Sequence, residues 1–251
     1  MRHTQAFEEQ VLKRPRIEEL GCEVEVRRHP GARRLTLRVS RTRRAVIVTM
    51  PVQCDIGEAG NFLNRNLEWV RERLDSLPRP VPFCNGALMP LRGDFHRLAF
   101  GGKRDAGGVV QRTCAGVAVP ELRVAGRPEH AARRLRDWLF EEARHDLDAR
   151  VIHHARRLGV APKRIAVRDQ ATRWGSCSTT GVLSFSWRLI LAPAHILDYV
   201  AAHEVAHLAE MNHGPRFWTL VERTMPAMKE AKGWLQLYGL DLHRYGPAGR
   251  A

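Results

Sequence analysis

The stretch Ala201-Ala202-His203-Glu204-Val205-Ala206-His207 constrains this chain more than any other. It sets two histidines four residues apart inside an apolar run that begins near Pro193. Residues four apart share one face of a helix, so a helix here presents both imidazoles to a single ion. Glu204 is rotated by about 100° from His203, within reach of a ligand on that ion without binding the ion itself. The combination suits a zinc-bound water with a carboxylate beside it to take its proton. His213 follows, just before Gly214-Pro215. A third ligand arriving after a helix end leaves the fourth tetrahedral position to water, which marks a catalytic and not a closed structural site. Ile196, Val200, His203 and His207 fall at i, i+4, i+7 and i+11, so the histidines point the way the core does. Two buried histidines and a glutamate without an ion would be costly to desolvate. The expected cofactor is therefore Zn2+, on His203, His207 and His213, with Glu204 catalytic.

A chain of 251 residues allows one large domain or two modest ones, with ample core. Its net charge of +14 is carried almost entirely by arginine; only Lys13, Lys103, Lys163, Lys229 and Lys232 are lysines. Such a balance favours polyanions, yet the arginines are scattered, and a compositional bias toward arginine is the simpler explanation. Nucleic-acid contact through basic surface stands as a further partner expectation. The first twenty residues hold no apolar stretch of signal-peptide type. Leu189 to Ala209 is apolar enough to suggest a membrane span, but Pro193, Asp198, Glu204 and three histidines inside it argue against one. Cys22, Cys54, Cys84, Cys114 and Cys177 are an odd, widely spaced set, neither a disulfide framework nor a cysteine zinc site. A cytoplasmic protein without membrane association fits best.

Along the chain, residues 1–19 read as a flexible basic tail. Cys22–Val26, Leu35–Val39 and Val46–Met50 alternate with period two and predict three antiparallel strands joined by Arg-rich turns. Asp55 is placed to cap a helix running to about Leu77, with Phe62, Leu67, Trp69, Val70 and Leu74 inward. Pro78-Arg79-Pro80-Val81-Pro82 forces an extended break. Four more strands are expected at Leu88–Leu91, Phe95–Phe100, Val109–Thr113 and Val117–Leu122. Arg127 to about Leu158 reads as one long helix stopped by Gly159, and His153 and His154 near its end complement its dipole. Leu183 to Leu189 alternates cleanly and predicts a hairpin strand directly before the His203 helix; as a sheet edge it either holds an extended peptide by β-augmentation or simply covers the core. Pro215 opens a further helix whose Phe217, Trp218, Leu220 and Val221 dock it, and a final short helix carries Trp234, Leu235 and Leu237. The expected organisation is a tail over 1–19, a β-rich region over 20–125, a metal-dependent hydrolase domain over 126–245 and a tail over 246–251.

Arg173-Trp174-Gly175-Ser176-Cys177, His203-Glu204-Val205-Ala206-His207 and Asn212-His213-Gly214-Pro215-Arg216-Phe217-Trp218 occur in that order. Together they resemble the YgjP-like branch of the SprT-like zinc metallopeptidases, over about residues 130–240. The resemblance implies an α+β protein: a β-rich N-terminal half, then a zincin-like core whose active-site helix carries HExxH. It also implies zinc on His203, His207 and His213, with Glu204 as general base acting on a peptide or protein substrate. Glu222 is a competing third ligand, and Glu210 either faces the site or lies on the surface. Tyr199 and Arg173 are the candidate oxyanion donors, while Cys177 as a nucleophile is made unnecessary by an activated water.

Two rivals stay open. Relatives of the YgjP type have been linked to nucleoside triphosphate hydrolysis, and the same water could attack phosphorus in a UTP-type pyrophosphatase, although no Gly-rich phosphate loop is present. Alternatively, the zinc is structural and the chain a basic nucleic-acid-associated protein.

Overall fold

The computed structural model describes residues 16–17, 20–102, 108–113 and 119–246. The two expected tails lie outside them except for 16–17 and 246, and Cys114 and the start of the expected 117–122 strand lie outside them too. The chain divides into two compact units, Met1–Pro78 and Arg79–Ala251. The division falls at the proline-rich break and not between 125 and 126. Strands that follow the break share one apolar core with the long helix after them, through Met89, Leu98, Leu122, Leu135 and Leu139.

The first unit opens with β1 (Arg16–Ile17), β2 (Cys22–Arg28), β3 (Thr36–Ser40) and β4 (Ala45–Met50), in the sheet order β1-β2-β4-β3. Three antiparallel strands were the expectation. Instead β2 runs parallel to β4, with Val24 opposite Val46 and Val26 opposite Val48, while β3 runs antiparallel to β4. The short turn after Ser40 can only form a hairpin, and β3 lies on the far side of β4, so β2 meets β4 in the same sense. As the middle strand, β4 is apolar almost throughout, as a strand covered on both faces should be.

Asp55 caps α1 (Ile56–Arg65), accepting from Gly57 N at 2.6 Å. The single helix expected to reach Leu77 stops at Asn66, whose φ of −115° and ψ of 14° leave the helical region, and α2 (Leu67–Asp75) starts anew. The Asn66 side chain donates to Phe62 O at 2.7 Å, the local competition with the helical ladder that makes asparagine a helix breaker. The restart buries Val70 and Leu74 but leaves Trp69, expected inward, 39% exposed.

In the second unit come β5 (Val81–Pro82), β6 (Leu88–Leu91), β7 (Asp94–Phe100), β8 (Val110–Thr113) and β9 (Glu121–Val124). The strand expected over 117–122 is thus seated later. The sheet β6-β7-β9-β8 repeats the plan of the first: a parallel central pair, β7 and β9, flanked on each side by an antiparallel neighbour. After a 3₁₀ turn at Pro128–His130, α3 (Ala131–Leu158) lays Leu135, Leu139, Ala143, Leu147 and Val151 along one buried stripe. Ile152, off that stripe, is exposed. Gly159 ends α3 at a φ of 69°, the left-handed conformation that glycine adopts without strain.

A three-stranded sheet follows, of β10 (Arg164–Arg168), β11 (Gly175–Cys177) and β12 (Val182–Ser186), in the order β10-β12-β11. The strand expected to reach Leu189 stops at Ser186, whose hydroxyl caps a 3₁₀ turn over Trp187–Leu191. Trp187, Leu189, Ile190 and Leu191 are all buried there, so the period of two ends with β12. Since β12 is the middle strand, the edge beside the histidine helix belongs to β11.

The histidine helix is α4 (Ala194–Ala206), followed by α5 (Pro215–Thr224), α6 (Met228–Leu242) and β13 (Tyr245–Gly246). α6 has 15 residues, longer than expected. α4 packs against α3, α5, α6 and β11. At its start the β6–β7 turn presses in, leaving only 3.1 Å between the Cβ position of Gly93 and Pro193. That turn is pinned by Arg92, which donates to Asp146 and Glu142 of α3 at 2.7–2.8 Å. β13 closes the unit by pairing parallel with β5, Val81 N donating to Arg244 O at 2.8 Å. Among the described residues no helix is long and apolar enough to cross a membrane.

Candidate active site

α4 ends at Ala206, so His203 lies in its last turn and His207 occupies its C-cap. The chain then turns through Glu210 and Asn212 and returns His213 to the same place, ahead of Pro215 at the first position of α5. The Nε2 atoms of His207 and His213 lie 3.1 Å apart, as do those of His213 and His203. The three ligand atoms all fall within 4.8 Å of one another.

These imidazoles fit a metal ion. His207 Nδ1 donates to the carbonyl of Glu210 at 3.1 Å, so its Nε2 carries the lone pair that faces the cluster. Three nitrogens converging this closely cannot all be satisfied by sharing protons. Ligands at about 2.0–2.1 Å from a tetrahedral zinc would stand about 3.3 Å apart, close to the spacing found. Burial, with the neighbouring His207, His213 and Lys232, also pushes His203 down to about 3, so a proton is a poor occupant. Burial first, together with His213, likewise lowers His207.

Phe217 holds the set together. It is fully buried, and its ring centroid lies 4.9, 4.4 and 4.8 Å from those of His203, His207 and His213. Trp218 stacks on His213 and donates from Nε1 to the His213 carbonyl at 3.1 Å, while Lys232 lies over the indole at 4.6 Å. Among the described residues His203 Nδ1 is buried without a hydrogen-bond partner. Rings, not a hydrogen bond, orient that imidazole: Phe217 on one side and Tyr199, edge-on at 6.0 Å, on another.

Glu204 is 5% exposed. Burial pushes its carboxyl up to about 8, opposed by the charge of Arg173. It leans against β11 where the strand has no side chain. A Cβ on Gly175 would stand 2.5 Å from Glu204 Cγ and Oε1, closer than atoms can approach. The glycine of the Arg173–Cys177 motif therefore makes the space the carboxylate occupies. Composition and spacing did not reveal that role, although a glycine inside a short strand is a sign of close approach.

β11 also offers a backbone. Ser186 N donates to Trp174 O and Ser178 N to Val182 O, both at 2.9 Å. Pairing alternates along an antiparallel ladder, so Trp174, Ser176 and Ser178 turn their polar groups to β12, and Gly175 and Cys177 turn theirs outward.

Other expectations separate here. Glu222 is exposed on α5 and outside the cluster, so the structure gathers His213 in its place. Glu210 contributes its carbonyl, while its carboxylate accepts from Asn212 N at 3.2 Å. Tyr199 is 6% exposed and backs His203; Arg173 is exposed and electrostatically coupled to Glu204. Cys177 is half-buried, its thiol raised by burial and by Glu204, the reverse of what a thiolate nucleophile needs. His154 does not complement a helix dipole: it is buried, with Nε2 donating to Asp198 of α4 at 2.9 Å and Nδ1 2.6 Å from Thr224 Oγ1 of α5.

The family model described as YgjP-like, metallopeptidase domain, matches residues 33–238. The chain is also similar to the crystal structure of the metallopeptidase zymogen of Pyrococcus abyssi abylysin, at 21% identity and a TM-score of 0.35, over 40% of this chain and 98% of that one. No curated protein matches it. The family match runs from just before β3 through every residue of the histidine cluster and the glutamate beside it, and the chain accordingly belongs to the YgjP-like family, as a metal-dependent hydrolase with a metallopeptidase domain.

Proposed function

We propose that this protein is a zinc-dependent peptidase in which His203, His207 and His213 hold the ion and Glu204 is the general base. The observation that carries this reading is the convergence of three Nε2 atoms beside a buried carboxylate, next to a strand with an outward-facing backbone. A zinc ion bound there supplies Lewis acidity toward a carbonyl oxygen, an acidified water and positive charge close to Glu204. The outward amides and carbonyls of Gly175 and Cys177 align an extended peptide along β11. Gly175 lets the Glu204 carboxylate stand between that peptide and the histidines. Glu204 accepts a proton at its carboxylate and returns it to the departing amine nitrogen. Arg173 is the residue placed to favour the ionised form of Glu204 and to donate toward developing negative charge.

The test compares wild type with Glu204→Gln for bound metal and for turnover of unfolded casein and of UTP. The expected result is zinc in both proteins, casein cleavage by wild type, and a loss of about 100- to 10,000-fold in the variant. Release of pyrophosphate and UMP from UTP without casein cleavage would replace the peptidase reading with the pyrophosphatase one. Full turnover by the variant would remove Glu204 from its role.

A further inference from the structure

We propose that the first unit binds single-stranded nucleic acid in a groove along β3, a site separate from the histidine cluster. Two depressions of about 330 and 430 Å3 adjoin there, sharing Leu37 and Trp69, and neither contains a residue of the metal cluster. Their walls are the β3 segment and the faces of α1 and α2 left open by the break at Asn66.

Three features of the groove specify the ligand. Arg34, Arg38, Arg41 and Arg73 line it, all exposed, and no lining residue is acidic. Arg27 and Arg43 of the same unit are tied to Glu25, whereas Arg34, Arg38 and Arg41 form no ion pair with a described residue. The second feature is the 39% exposed indole of Trp69, with the Arg73 guanidinium 5.6 Å from its centroid and Phe62 further along the wall. A planar ring beside a cation is a platform for a base, and stacking of this kind needs bases freed from a duplex. The third is length. Arg34 precedes the five-residue strand and Arg41 follows it, so cations flank about 16 Å of chain. That spread matches phosphates repeated along a polymer better than the clustered charge of one nucleotide. An acidic peptide would use the guanidiniums and leave the indole idle.

Binding of a short fluorescein-labelled oligodeoxythymidine to the full chain, followed by anisotropy across a salt series, tests this. Wild type should bind, more weakly as salt rises. Arg38→Ala with Arg41→Ala should lower the slope of log K against log salt by about 1.4, at about 0.7 per phosphate contact. Trp69→Ala, which removes no charge, should weaken binding by about five- to hundredfold. A charge-matched control, Arg133→Ala with Arg144→Ala on exposed positions of α3, should bind as wild type does. The proposal fails if wild type does not bind, if Trp69→Ala binds as tightly as wild type, or if the α3 pair loses as much as the β3 pair. It fails equally if polyglutamate displaces the oligonucleotide as effectively as unlabelled oligonucleotide does, which would mark an acidic-peptide site.

Discussion

One methyl group is enough to displace the Glu204 carboxylate, because Gly175 leaves room for nothing between strand and acid. Gly175→Ala should therefore reduce kcat by about a hundredfold, the scale of a 1 Å misplacement, while metal content stays as in wild type; an active variant would show that the carboxylate has slack. The titration of Glu204 gives a second test. Its carboxyl is raised from an ordinary 4.5 to about 8, so stability tied to the protonated form is complete below pH 4.5 and disappears as pH rises toward 8. His203, depressed from 6.5 to about 3, works the other way: its contribution is present above 6.5 and lost as pH falls to 3. Chelator-treated wild type and Glu204→Gln separate the two effects, since only wild type titrates at position 204. The variant's advantage in thermal melting should grow between pH 4.5 and 8, to on the order of 4 kcal/mol; parallel curves would show that the acid is well solvated. The three histidines were legible in the sequence, since two are linked by helical periodicity and the third by a helix break. Gly175 was not, because its partner is a long way along the chain and the clash exists only once β11 lies on α4.

Elements show where pattern is strong and where it misleads. Period two located β2, β3, β4 and β12, and period 3.6 located α3 and α4. Pairing partners were harder: local turns specify hairpins, but nothing local specifies that β2 lies parallel to β4, or that β11 and not β12 is the edge. That edge makes a prediction. Cys177→Pro deletes an outward N–H and leaves the ladder to β12 intact. Peptide KM should rise by about two- to tenfold, the worth of one hydrogen bond, with kcat nearly unchanged; a collapse of both would place Cys177 inside the ladder. The bridge from α3 through His154 to Asp198 and Thr224 ties three helices around the cluster. His154→Ala should cost about 3 kcal/mol in urea unfolding, because it removes a fully buried imidazole and takes from the partly buried Asp198 carboxylate its closest partner. A loss below about 1 kcal/mol would mean that Arg150, 3.7 Å from the same carboxylate, suffices.

Across the whole molecule, the proline-rich break and not the change from strands to helices separates the units, since a sheet and the helix that covers it form one core. Charge is also a property of this scale: +14 was visible at once, but its concentration beside an exposed indole required the fold. The second unit begins and ends with paired strands, β5 and β13, and Arg188 donates to the Tyr245 carbonyl. Deleting residues 243–251 removes the buried Tyr245 ring, a loss of about 3 kcal/mol, and should lower the melting temperature by about 6–12 °C; an unchanged melt would make the clasp ornamental. The two sheets drawn to one plan carry a consequence for how the chain is made. Both central pairs present interchangeable parallel ladders, so only side chains tell right partners from wrong. On the ribosome the first sheet is complete before β7 emerges, and the ambiguity never arises. Diluted from denaturant, all four central strands search together, and refolding yield should fall below that of synthesis.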